Sequence, residues 1–223
     1  MELIEWPSVL QPRNINIRPP SQTKSLTRTL TNFEQVQPVI RPPWRVSLSF
    51  ATLVGDQVLA YRALLAACEG RTNPIRLPIF DLHYWASDAQ IGAGQAGHSD
   101  TALFSDFSTY AVTDLSGVVV SGMQGEKQIT VEFGQYGPIL KAGQYFGIAD
   151  DLHIATGVWW TGTIATIKFT SSLRRDHVNA PLRLHPYLIA RLADDNTGEH
   201  ELTYGRWTEP VLELEEVFYE PIS

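Results

Sequence analysis

TLVGDQVLAYRALLAACEGRTNPIRLPIFD, residues 52–81, is the stretch that decides the fold. Val54, Val58, Tyr61, Leu65 and Cys68 recur at spacings of four, three, four and three. That rhythm lines them along one face of a helix over residues 53–69. Gln57 and Arg62 fall on the opposite face. Thr52 or Asp56 can cap the start by accepting a backbone N–H. Gly70 can end the helix in the left-handed conformation. Arg71-Thr72-Asn73-Pro74 then turns the chain, and Ile75 to Phe80 runs extended. No other strongly amphipathic helical stretch occurs, and the rest reads as strand, turn or loop. The expected class is therefore all-β with one amphipathic helix, its apolar stripe laid against β structure.

The 223 residues accommodate one large all-β domain or two smaller ones, and either buries a core without staples. With 43% hydrophobic and 18% charged residues the chain is globular in composition. Its six Trp offer large amphipathic surfaces of the kind enriched at interfaces. Its fourteen Pro suit strand edges and turns. The formal charge of −7 argues against a protein that binds nucleic acid by neutralising phosphates. It is compatible with a surface past which DNA slides without sticking. Cys68, the single cysteine, reads as a small buried hydrophobe on the helix. Residues 1–7 show neither a basic nor an apolar leader region, so no signal peptide is expected. No run of ~18 apolar residues is present, so this chain is not expected to insert in a membrane.

Upstream of the helix, Val46, Leu48 and Phe50 alternate with Arg45, Ser47 and Ser49, a half-buried strand. Before it, the polar Thr-rich run 21–31 is poor core. It suits a solvent-facing hairpin or an arm that pairs with another copy. Downstream, 81–110 reads as loop, and 111–175 as a compact unit of short strands at 128–133, 145–148, 152–154 and 163–169. Asp150-Asp151 is expected to turn the chain. Residues 187–192 and 201–204 flank Asp194-Asp195-Asn196-Thr197-Gly198 and read as a hairpin. At the end, Leu212 and Leu214 oppose Glu213 and Glu215, and Glu215-Glu216 breaks the alternation as a bulge would.

The motifs of enzyme chemistry are nearly absent. The Gly-x-Gly-x-x-Gly of 92–97 lacks a strand before it and a helix after it, so a flexible loop is expected instead of a dinucleotide cradle. The six His show no paired metal spacing, and Gly198 stands where a calcium loop needs an oxygen ligand. His98, Ser99 and Asp100 sit too close on one loop for a nucleophile–base–orienter geometry. Asp150 and Asp151, as neighbours, do not flank a glycosidic bond. No catalytic residue, metal or cofactor is expected. Tyr84-Trp85 and Trp159-Trp160 are the aromatic pairs suited to a sugar platform or a protein contact, with core for one member as the plainer alternative.

In their order these features resemble the distal tail proteins of long non-contractile-tailed bacteriophages. Trp6-Pro7-Ser8-Val9-Leu10-Gln11-Pro12 matches an opening Trp-Pro-x-x-Leu-x-Pro segment. A polar hairpin follows, then the Trp44-Arg45-Val46-Ser47-Leu48 strand. The helix end at Leu64 to Asn73 matches a Leu-x-Gly-Arg-x-Asn-like turn. His98-Ser99-Asp100 and Phe104-Ser105-Asp106 match a repeated Ser-Asp loop, and Ser172-Leu173-Arg174 stands where the family has Pro-Leu-Arg.

The resemblance implies a structural virion component, not an enzyme. It would be a homo-oligomeric ring of about six copies that joins the tail tube protein to the baseplate hub protein. Tape measure protein and tail fibres would be further contacts, and DNA would be met only in transit through the lumen. Its place would be the virion tail tip, after synthesis in the bacterial host cytoplasm. It implies a tail-tube-like β-sandwich ring domain from 1–108 and 178–223, with an inserted outer β-barrel or sandwich unit at 110–176. Trp6, Trp44, Thr27, Arg28 and Thr29 are the candidate assembly residues, and Trp85, Trp159 and Trp160 the candidate ligand or fibre contacts. A carbohydrate- or receptor-binding β module is the alternative reading, and an unrecognised hydrolase the third.

Overall fold

The structure is a computed structural model. It describes residues 2–20, 23–28, 34–38, 42–80, 115, 117–198, 202–203, 206–207 and 209–218, with backbone alone at 23–28, 34–38, 135, 202–203 and 206–207. The Gly-rich loop and the Ser-Asp turns lie outside these residues. The chain forms two compact units, residues 1–77 with 188–223, and residues 78–187. It is mostly β with one α-helix among the described residues.

The first unit is built on a six-stranded sheet. In chain order it uses β1 (Ile4–Glu5), β2 (Asn14–Arg18), β5 (Arg45–Ser49), β6 (Ile75–Pro78), β13 (Tyr187–Leu192) and β16 (Val211–Glu216). Their order across the sheet is β1-β6-β13-β16-β5-β2. The alternation in β5 works as expected: Val46, Leu48 and the following Phe50 are buried, while Arg45 is exposed and Ser47 and Ser49 are partly so. Leu212 and Leu214 pair with Leu48 and Val46 on the same inner face. Two further pairs stand apart from this sheet. β3 (Thr23–Arg28) and β4 (Glu34–Pro38) form a hairpin of their own, as do β14 (Leu202–Thr203) and β15 (Arg206–Trp207). The expected hairpin of 187–192 with 201–204 is therefore corrected. β13 pairs β16 instead, and 202–203 pairs 206–207. Apolar strands pair where their faces are buried together, not where they are nearest in sequence.

Helix α1 (Asp56–Cys68) covers the inner face of this unit with Tyr61, Leu64 and Cys68 buried. Tyr61 meets Phe50 edge-on at 5.6 Å. Its hydroxyl donates to the Gly198 carbonyl at 3.1 Å. The stripe is rotated from the expected one: Leu64 is buried and Leu65 half-buried, and Val54 lies exposed before the helix. Gly55, not Thr52 or Asp56, is the N-cap, and no side chain caps the start. At the other end Glu69 takes the left-handed conformation at φ 47°, and Gly70 follows at φ 65°. Asn73 closes that end, donating from its backbone N–H to Cys68 and from Nδ2 to Ala67.

The second unit is a six-stranded, nearly barrel-shaped sheet. It uses β7 (Val119–Gly122), β8 (Gln128–Glu132), β9 (Tyr145–Ile148), β10 (Asp151–Thr161), β11 (Ile164–Thr170) and β12 (His177–Arg183). Their order is β7-β12-β9-β10-β11-β8, and β7 returns beside β8. Its interior is filled by side chains such as Val131, Phe133, Phe146, Ile167, Phe169 and Leu182, so it is a packed core, not a channel. The two-residue turn Ala149-Asp150 joins β9 to β10, and Asp151 is already in the strand. Residues 178–187, expected in the first unit, lie in this one, because β12 supplies the strand beside β9.

Candidate functional site

The outer face of the first unit's sheet is polar and arranged in rows. Asn16, Ser47 and Glu213 oppose one another across β2, β5 and β16. The next row is Arg18, Arg45, Glu215 and Arg191. Arg18 directly opposes Arg45, a like-charge pair that destabilises the sheet unless something neutralises it. Glu215 does part of that, accepting from Arg45 Nη2 at 3.3 Å and lying 3.9 Å from Arg71 Nη2. A groove of about 180 Å³ crosses the rows, lined by Asn16, Arg18, Arg45, Ser47 and Glu213 among others. The polar lining of this groove carries two guanidinium groups and one carboxylate.

The candidate assembly residues divide. Trp44 is completely buried, so it belongs to the core and offers no surface to a partner. Its burial follows from the alternation, which places it on the inner face two residues before Val46. Trp6 is partly buried; it stacks on Phe50 at 6.2 Å and 12° and donates from Nε1 to the Leu10 carbonyl at 2.8 Å. It holds the opening segment down within this chain. Thr27 and Arg28 lie in β3, where the backbone alone is described, and Thr29 lies outside the described residues.

Glu216, read above as one half of a bulge, is corrected. β16 keeps continuous register through Glu215 and Glu216. Glu216 therefore points inward and is only 7% exposed. Its Oε2 accepts the Trp44 N–H at 3.0 Å, while its own N–H donates to the Trp44 carbonyl at 2.9 Å. The carboxylate satisfies a donor that the start of β5 leaves over.

The second unit holds a polar cluster that sequence reasoning missed. Asp151 accepts two bonds from Arg175, Nε at 3.3 Å and Nη2 at 3.2 Å. It accepts a third from His177 Nε2 at 3.2 Å. Burial pushes the Asp151 carboxyl up, but the His177 bond and the Arg175 guanidinium outweigh it and hold it below the usual range. His153, two residues along β10, is fully buried against Phe146 and Phe169, and neither ring nitrogen has a partner at good hydrogen-bond geometry. Burial lowers its pKa to about 4, so the ring is neutral. Asp151 and His177 resemble an acid–base pair on paper. Both are too enclosed for a substrate, with side chains 13% and 4% exposed. They tie the start of β10 to the start of β12. No sequence signal announces the cluster, because its members are brought together only by strand pairing.

Trp159 and Trp160 separate by the strand's alternation. Trp160 packs on Phe133 at 4.9 Å and donates from Nε1 to the Leu140 carbonyl at 3.3 Å. Trp159 points outward and is 56% exposed. Trp85 lies outside the described residues. Among the described residues no group of three or more His, Cys, Asp or Glu is placed to hold a metal. No helix among them is long and apolar enough to cross a membrane. No protein-family model matches the chain, and no curated protein matches it.

Proposed function

We propose that this chain is a structural ring component of a long non-contractile phage tail, the distal ring between tail tube and baseplate hub. The observation that carries the reading is the β3–β4 hairpin. It pairs with itself and with no other described strand, next in sequence to a sheet whose inner face carries the one described helix. A two-stranded ribbon is marginal alone in water, so a second copy is the natural partner for its open edges. The order of motifs along the chain supports the same reading. In this role tail tube protein, hub protein and tape measure protein bind the ring, and DNA passes through the lumen. In this reading the second unit, formed by the nested segment 78–187, is the part that meets fibres or the cell surface.

The test is the mass of the purified protein by light scattering, with negative-stain images, alone and after co-expression with tail-tube and hub candidates from the same genome. Rings of about six copies with a central hole are expected in at least one of these samples. A strict monomer in all of them overturns the reading.

A further inference from the structure

The second unit exposes a side chain that its core does not account for. Trp159 is the one exposed Trp among the side chains described. It does not stand up from the sheet. A Cβ built on Gly157 would meet its Cη2 at 2.7 Å, Cζ2 at 3.1 Å and Cζ3 at 3.2 Å. The two flanking atoms are barely farther than the nearest one, which places the Gly157 backbone under the ring face and not at its edge. Any other residue at 157 would lift the indole. The strand is adapted at this point: the pairing steps from Ala155 opposite Phe169 to Gly157 opposite Lys168, leaving Thr156 as a bulge. Bulges re-aim side chains, and a strand glycine marks a close approach. Together they lay one indole face on the backbone and leave the other toward solvent.

The surroundings decide what such a face receives. Trp159 opposes Thr166, which opposes Thr130. Gly157 opposes Lys168, which opposes Gln128. Directly opposed residues share a face about 5 Å apart. One side of the indole is thus bordered by two hydroxyls, an ammonium and an amide on the outer face of the sheet. A protein hot spot wants an apolar anchor in an enclosed pocket; here Ile164, opposite Thr161 and beside Glu132, is the exposed apolar neighbour on this face, and the other flanking positions are polar. A pyranose has the complementary pattern. Its C–H face carries partial positive charge and suits the negative face of an indole, and its rim of hydroxyls needs donors and acceptors in the same plane.

We propose that this face is a saccharide-binding platform. Trp159 stacks on the C–H face of a pyranose, and Thr130, Thr166, Gln128 and Lys168 hydrogen-bond its hydroxyls. The proposal stands whether or not the chain forms rings. In a ring, repeated weak sites gain avidity without any new contact.

Saturation-transfer difference NMR on the full chain tests it, with gluco-, galacto- and N-acetylglucosamine-based tetrasaccharides as probes. Irradiating the aromatic protons is expected to saturate sugar C–H protons of at least one probe at millimolar concentration. Trp159→Ala should abolish that signal with an unchanged melting temperature, since the side chain lies outside the core. Gly157→Val should weaken it at least tenfold by lifting the ring, while Trp159→Phe keeps part of it. No transfer with any probe, or equal transfer in Trp159→Ala, overturns the proposal. So does a protein partner whose binding depends on Trp159 with no saccharide response, which would assign the surface to protein recognition.

Discussion

His153 is the residue whose burial has the clearest consequence. In the folded chain it stays neutral down to about pH 4, whereas the unfolded ring protonates near its ordinary value of 6.5. Between those values the unfolded chain binds a proton that the folded chain refuses, so stability falls as pH falls, by up to about 1.4 kcal/mol per pH unit. Asp151 on the same strand favours the charged ring, while Arg174 and His177 oppose it. The depressed Asp151 adds a further loss when the pH drops through the carboxylate range. His153→Leu removes the refused proton and leaves the Asp151 contribution. Its urea midpoint is expected to change less between pH 6.5 and pH 4 than that of the parent protein; equal slopes would refute the assignment. Cys68 is held in a similar way. Burial pushes its thiol up to about 11, so it should resist iodoacetamide at neutral pH until the chain unfolds. Rapid labelling of native protein would contradict its place in the core.

At the scale of the element, the helix shows how a spacing argument succeeds and then misses by one position. The pattern located a single helix and its end, yet the buried stripe runs through Tyr61, Leu64 and Cys68. Leu64 and Leu65 are both apolar, and nothing in a one-dimensional rhythm tells which of two neighbours faces the sheet. The side chain of Leu65 lies along Gly198, while that of Leu64 is almost fully enclosed. Leu64→Ala should therefore cost about 2–5 kcal/mol, and Val54→Ser, at an exposed position, no more than about 0.5 kcal/mol. Chemical denaturation measures both. Similar costs would mean that the stripe is misplaced. The end of β16 holds a second such test. Glu216→Gln keeps an acceptor for the Trp44 N–H, while Glu216→Ala removes that buried hydrogen bond, a loss of about 1–3 kcal/mol.

For the whole molecule, the central prediction concerns the β3–β4 arm. Replacing residues 21–41 with a short Gly-Ser linker should leave circular dichroism and melting temperature nearly unchanged, because the six-stranded sheet closes its register without the arm. The same change should lower the mass of whatever assembly the parent chain forms. An arm-deleted chain that still forms rings would show that assembly depends on another surface, and the Arg18–Arg45 row would then be the first to examine.

The sequence by itself determined the class, the one helix among the described residues and most of the strands. Each of these rests on short-range periodicity, which a chain carries in its own order of residues. It also carried the resemblance that motivates the tail reading. The tertiary structure alone decided which strands pair. It sent β13 to β16 and drew β12 into the second unit. It also decided the burial of Glu216, the Asp151–Arg175–His177 tie and the glycine beneath Trp159. Those depend on long-range register, where a partner many residues away fixes which face a side chain takes. No local spacing encodes that, because the free energy that selects the register is the burial of a face shared by distant strands.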